Sequence, residues 1–167
     1  MNTPPYFCLH CIVPPYMLDC MVDCGDDAVR RLALDAMQLA ADARAMRRVL
    51  RTLPEMSVMS LPSSTKMRMV YDAQNKGMAQ LPGKLVRNEG SAPSKDAAVD
   101  EAYDHSGITY DFYAENYQRN SLDDHGMALL SSVHVGKNLN NAFWTGQQMA
   151  YGDGDGKLFT RFTKSLD

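Results

Sequence analysis

The chain has 167 residues, with 17 Lys and Arg against 20 Asp and Glu, a net charge of −3 and 45% hydrophobic residues. That apolar share supports a packed core and argues against disorder throughout. No run approaches the roughly 18 apolar residues of a membrane-spanning helix, and neither half carries the basic patch that nucleic-acid phosphates require, so membrane and nucleic acid are not expected partners.

The N-terminus, Met1-Asn2-Thr3-Pro4-Pro5, lacks a basic region, and His10, Pro14 and Pro15 interrupt the apolar stretch 7–18. It does not read as a secretory signal. All four cysteines, Cys8, Cys11, Cys20 and Cys24, lie here as C-x2-C, eight residues, then C-x3-C. Zinc and disulfide readings stay open, but zinc frameworks usually place about 12 or more residues between the pairs. Reduced thiols packed as small hydrophobes are the preferred reading.

Val29, Leu32, Ala36, Leu39, Ala43, Met46, Leu50 and Leu53 recur at spacings of three and four, which predicts one amphipathic helix over 26–53. Asp26 and Asp27 open it, four arginines crowd its end and Pro54 stops it, so both ends complement the macrodipole. Residues 54–66, with two prolines and four serines, read as a linker open to proteolysis.

From residue 67 the pattern changes. Met67, Met69 and Tyr71 alternate with polar residues as on a half-buried strand, Asn75-Lys76-Gly77 turns the chain, and a second strand follows Leu81-Pro82-Gly83. A second helix begins after Pro93 with Ser94 or Asp96 as its cap. Its Val99, Tyr103, Tyr110, Tyr113 and Tyr117 share a face expected to be core, and a neighbouring backbone is expected at Gly107. Further alternation at 128–135, then 140–149 and the turn Gly152-Asp153-Gly154-Asp155-Gly156, completes an α+β lobe with largely antiparallel pairing.

No self-sufficient catalytic motif stands out. The four histidines never pair at i, i+4, and there is no His-Glu-x-x-His, no Gly-x-Ser-x-Gly and no phosphate loop. The Asp153/Asp155 turn opens like a calcium loop but has Lys164 where the bidentate glutamate should stand, so a glycine hairpin is the better account.

Several stretches, in order and spacing, resemble the thermolysin-like zinc metalloendopeptidases. They include Val70-Tyr71-Asp72-Ala73, Leu81-Pro82-Gly83, Gly107-Ile108-Thr109-Tyr110-Asp111-Phe112-Tyr113, Ser131-Ser132-Val133-His134, Asn140-Asn141-Ala142-Phe143-Trp144 and Tyr151-Gly152-Asp153-Gly154-Asp155-Gly156. Residues 1–53, with Pro14-Pro15-Tyr16 before an amphipathic helix, resemble the short propeptide of the protealysin-like branch. The resemblance implies a precursor: 1–53 an occluding propeptide with Pro14, Pro15 and Tyr16 as its inhibitory motif, 54–66 the processing linker, and 67–167 an incomplete N-terminal lobe.

It further implies that Asn141 and Ala142 hold the backbone of a polypeptide substrate through side chain and carbonyl, respectively. Phe143 and Trp144 would shape the non-primed side, and Phe159 a wall of the primed pocket that takes a bulky apolar residue. Asp167 matches a calcium ligand. The zinc ligands and the general base of the His-Glu-x-x-His helix are missing, so these 167 residues alone are expected to be inactive and to need the C-terminal lobe as a partner. Secretion follows from the family, with a cytoplasmic location as the alternative. Cys11 is a speculative thiolate ligand to the catalytic zinc. A non-catalytic peptide- or protease-binding module, or the fragment of a decayed gene, is the competing reading.

Overall fold

The computed structural model describes residues 11–52 and 65–164. Asp167, Cys8, Leu53 and all but the last two residues of the expected linker lie outside the described residues.

Two helices form the N-terminal arm. α1 (Pro15–Cys24) starts with Pro15 in its first turn, where a missing N–H costs nothing. α2 (Asp27–Thr52) matches the expected helix within a residue. Asp26 caps it, accepting from the amides of Val29 at 2.9 Å and Ala28 at 3.0 Å. The buried seam of α2 is Ala33, Ala36, Ala40 and Ala43, rotated slightly from the expected stripe, so that Met46 faces outward. The buried residue of α1 is Leu18, which joins Ala33, Ala36 and Ala43 in the apolar core. The preferred thiol reading fails for two cysteines, because Cys20 and Cys24 are exposed on α1.

The lobe is a five-stranded sheet in the order β2-β1-β3-β5-β4, formed by β1 (Arg68–Asp72), β2 (Lys84–Asn88), β3 (Leu129–Val133), β4 (Ala142–Trp144) and β5 (Met149–Tyr151). The α+β class stands, but the pairing is mixed rather than largely antiparallel. β1 pairs antiparallel with β2 and β4 with β5, while β3 runs parallel to both β1 and β5. The reason is the crossover: α3 (Ala97–Tyr117) carries the chain from β2 back over the sheet, so β3 re-enters in the direction of β1. In β1 the buried residue is Val70, and the alternating Met69 and Tyr71 lie on the half-buried face.

Asp96 caps α3 by accepting from the Ala98 amide. Val99 and Tyr103 of the tyrosine stripe are buried, but Tyr113 and Tyr117 are exposed, so the stripe is core for only its first two turns. At Gly107 the close neighbour is the Arg68 guanidinium, which a Cβ would meet at 2.3 Å, and not a backbone. Arg68 and Arg87 both stack on Tyr103, 3.7 Å from its ring centroid, and Glu89 and Asp100 neutralise them. This cluster pins α3 to β1 and β2.

Candidate active-site edge and its occupant

β4 is the last strand of the sheet, and the geometry around it begins with a glycine. Gly152 lies against residue 139 so closely that a Cβ would meet the Leu139 carbonyl oxygen at 2.1 Å. With that approach the Gly152 amide donates to the Asn141 carbonyl and the Gly154 amide to the Leu139 carbonyl, each at 3.0 Å. Asn140 locks the same strap from its side chain: its amide donates to Asp155 at 3.1 Å, and it accepts from the Asp155 amide at 2.8 Å. The Asp155 carboxylate also accepts from the amides of Lys157, Leu158 and Phe159. Burial opposes its ionisation, but these donors outweigh that and hold its pKa below the usual range. The glycine-rich turn is therefore a brace for Asn140 and Asn141, in keeping with a structural rather than a calcium role.

With its backbone fixed, Asn141 turns its side chain along the edge toward the N-terminal arm. The Val13 amide donates to Asn141 Oδ1 at 2.9 Å, and Asn141 Nδ2 donates to the Val13 carbonyl at 3.3 Å. One residue on, the Ile12 amide donates to the Ala142 carbonyl at 2.9 Å, and Cys11 forms an antiparallel bridge with Phe143. Residues 11–13 thus lie on β4 as an added strand, and Asn141, Ala142 and Phe143 are buried. Pro14 and Pro15 follow at once; proline offers no N–H to a ladder, so the added strand ends there and α1 begins.

Trp144 is half-buried, and its carbonyl accepts from Arg47 of α2. It borders an open groove of about 570 Å³ between α3 and the sheet, together with Ile12, Tyr110, Tyr113, Met149 and Tyr151. Phe143 points into the core, fully buried, so only its backbone reaches the edge. Phe159 stacks on Phe162 with centroids 5.5 Å apart and does not line this groove. Tyr16 is 60% exposed on α1.

Behind the edge, His134 is flanked by two carboxylates, with Nδ1 2.8 Å from Asp153 and Nε2 2.9 Å from Asp96. The Asp153 hydrogen bond, with Asp96 adding to it, overcomes desolvation and lifts the imidazole to about 9. Both ring nitrogens are committed, so His134 is a cationic tie between β3, α3 and the brace. Among the described residues no group of three His, Cys, Asp or Glu side chains is arranged to hold a metal ion. The described residues do not make a zinc site.

The family described as thermolysin metallopeptidase, catalytic domain, matches residues 41–167. The chain belongs to that family. It is 44% identical over 156 residues to an extracellular metalloprotease of Pectobacterium carotovorum subsp. carotovorum, covering 93% of this chain and 43% of that protein. It is 52% identical over 105 residues to protease PrtS of Photorhabdus sp. (strain Az29), covering 63% and 28%. Among solved structures it resembles the precursor of protealysin, a metalloproteinase from Serratia proteamaculans, with TM-score 0.74, 44% identity and coverage of 92% and 41%. The chain spans less than half the length of each.

Ile12 and Val13 are contacts of the edge that no sequence motif marks. Their signal is one of propensity: β-branched residues ahead of a proline favour extended backbone. The contact of Arg47 with Trp144, 97 residues away, carried no local sign.

Proposed function

We propose that this chain is the N-terminal part of a zinc metalloendopeptidase precursor, with residues 1–53 acting as an occluding propeptide, 54–66 as its processing linker and 67–167 as the substrate-binding lobe. The observation that carries this reading is the strand at 11–13. An extended polypeptide adding to β4 would use the backbone groups of the edge, the Ala142 carbonyl among them, and, as the family resemblance implies, the Asn141 side chain; both are engaged by Ile12 and Val13. Asn141 clasps both backbone polar groups of one residue without reference to its side chain, which suits a protease that accepts many sequences.

Selectivity would come from the surrounding apolar walls, with a bulky apolar residue preferred after the scissile bond. We assign Trp144 to the non-primed side and Phe159 to the primed side. Zinc belongs to the family chemistry, in which it supplies an activated water. The 167 residues contain no His-Glu-x-x-His, and we assign them binding and latency but no hydrolysis. The names of the relatives support an extracellular destination. No described helix is long and apolar enough to cross a membrane.

The test uses the full chain. Ile12→Pro removes the donor to Ala142 and should let a fluorescent extended peptide with a central leucine bind more tightly than to the unaltered chain. Equal binding by the two would contradict occlusion. Hydrolysis of casein by the purified 167-residue chain with zinc would contradict the assignment of latency.

A further inference from the structure

The two cysteines of α1 have no part in the site described above, yet they stand together. Cys20 and Cys24 are four residues apart on one face of α1, both exposed and both free thiols. The opposite face carries buried Leu18 and partly buried Met21 and Val22, which dock α1. The pair is therefore solvent-accessible while its backbone is tied to the arm's packing.

We propose that Cys20 and Cys24 are a redox modification site, closing to a reversible disulfide within α1 that loosens the seat of residues 11–13 on β4. The second half of this inference rests on the occlusion reading above. In a straight helix the Cα atoms of residues four apart are about 6.2 Å apart, inside the range a disulfide spans but near its upper end. The two Cα–Cβ bonds run parallel along the helix instead of converging. Closure therefore deforms the last turn of α1, where the Gly25 amide donates to the Met21 carbonyl and Arg30 Nε to the Val22 carbonyl. Met21 and Val22 lie between the two sulfurs in sequence, so that deformation shifts the residues that dock the helix. Pro14 and Pro15, with fixed φ, join α1 rigidly to Val13 and pass the shift to the strand.

The chemistry balances with glutathione disulfide as oxidant. One cysteine thiolate attacks it, forming a mixed disulfide and releasing one glutathione. The second attacks the mixed disulfide and releases the other. Two thiol protons are lost and two electrons reduce the incoming S–S bond. Strained, exposed disulfides are readily reduced, so the bond forms only in an oxidising compartment and the arm stays seated in a reducing one. The neighbouring Cys20 thiol and the nearby Asp23 charge push the Cys24 thiol up, so oxidation quickens as pH rises.

Trp144 is the single tryptophan and borders Ile12 in the groove, which makes its emission a reporter of the strand. The full chain is treated with glutathione disulfide and followed by peptide mass mapping and Trp144 fluorescence, beside Cys20→Ser, Cys24→Ser and Ile12→Pro. The expected result is a Cys20–Cys24 disulfide, with a red shift and stronger acrylamide quenching that dithiothreitol reverses and both serine variants lack. A different pairing, or thiols that stay reduced, overturns the site. A Cys20–Cys24 bond without a fluorescence change, while Ile12→Pro does change it, overturns the coupling but leaves occlusion standing. Unchanged emission in Ile12→Pro as well overturns the occlusion reading and the coupling with it.

Discussion

The arm at 11–52 buries Val13, Leu18 and four alanines, whereas the lobe at 65–164 buries Phe143, Val70, Val99, Val133 and Tyr151. A large buried side chain contributes about 1.5–3 kcal/mol, against roughly 0.8 for a single carbon group. The lobe adds polar ties between distant elements: the Tyr103 stack, the Asn140–Asp155 clasp, His134 between its two aspartates, and Arg161 with Thr163 on Glu101. The arm is joined to the lobe by backbone bonds at 12–13, by Arg47, and by Val13, Leu18 and the small residues Ala33, Ala36 and Ala43, which share the lobe's apolar core. Small contacts hold the arm, while large interlocked ones hold the lobe.

The sharpest way to break that contrast is at the brace. Gly152→Ala drives a Cβ into the Leu139 carbonyl, and backbone cannot give way as a side chain tip can. We expect the lobe to lose about 2–4 kcal/mol in urea denaturation, with arm docking lost in parallel. A change under about 0.5 kcal/mol would mean that the brace does not set the edge.

Next in size is Asn141→Ala. It strands the Val13 and Ala142 amides, which both donate to Asn141, at a cost of about 1–3 kcal/mol. The loss should fall on the arm, seen as faster exchange at Val13, while the sheet amides of β1 and β3 keep their protection. Equal loss in both regions would show that arm and lobe are one cooperative unit.

The smallest expected effect is in pH. His134 is raised from 6.5 to about 9, so its contribution is complete below about pH 6.5 and disappears as pH rises through 9. For Asp96, burial opposes ionisation, but His134 outweighs it and lowers the pKa below 3.8. Its contribution is present above that value and lost on acidification through the lowered one. Lobe melting temperature should therefore fall between pH 7 and 10, and this fall should be shallower in His134→Gln. An identical alkaline slope in the variant would remove His134 from the account.

Local signals carried much of the fold. The span of α2, a cap of α3 at Ser94 or Asp96 and the turn after Tyr151 depend on short-range periodicity, capping and glycine chemistry, and are legible in the sequence; the structure selects Asp96. The parallel placement of β3 depends on where a crossover returns, which no strand records in its own residues. The α2 seam differs from the expected stripe in that Ala33 and Ala40 are buried while Met46 is exposed. At the site, Asn141 and Ala142 meet Val13 and Ile12, while their role toward a substrate is what the family resemblance implies. That Phe143 faces the core, and that Ile12 and Val13 lie against the edge, are consequences of register and long-range pairing.

The central claim is that residues 11–13 lie on β4 as a substrate-like strand. Residue-resolved amide hydrogen exchange on the full chain tests it at one group, the Ile12 amide, which donates to the Ala142 carbonyl. The account predicts exchange at Ile12 slowed at least about 100-fold relative to an unstructured peptide, and restored to the peptide rate by Asn141→Ala. Peptide-rate exchange at Ile12 in the unaltered chain would contradict it.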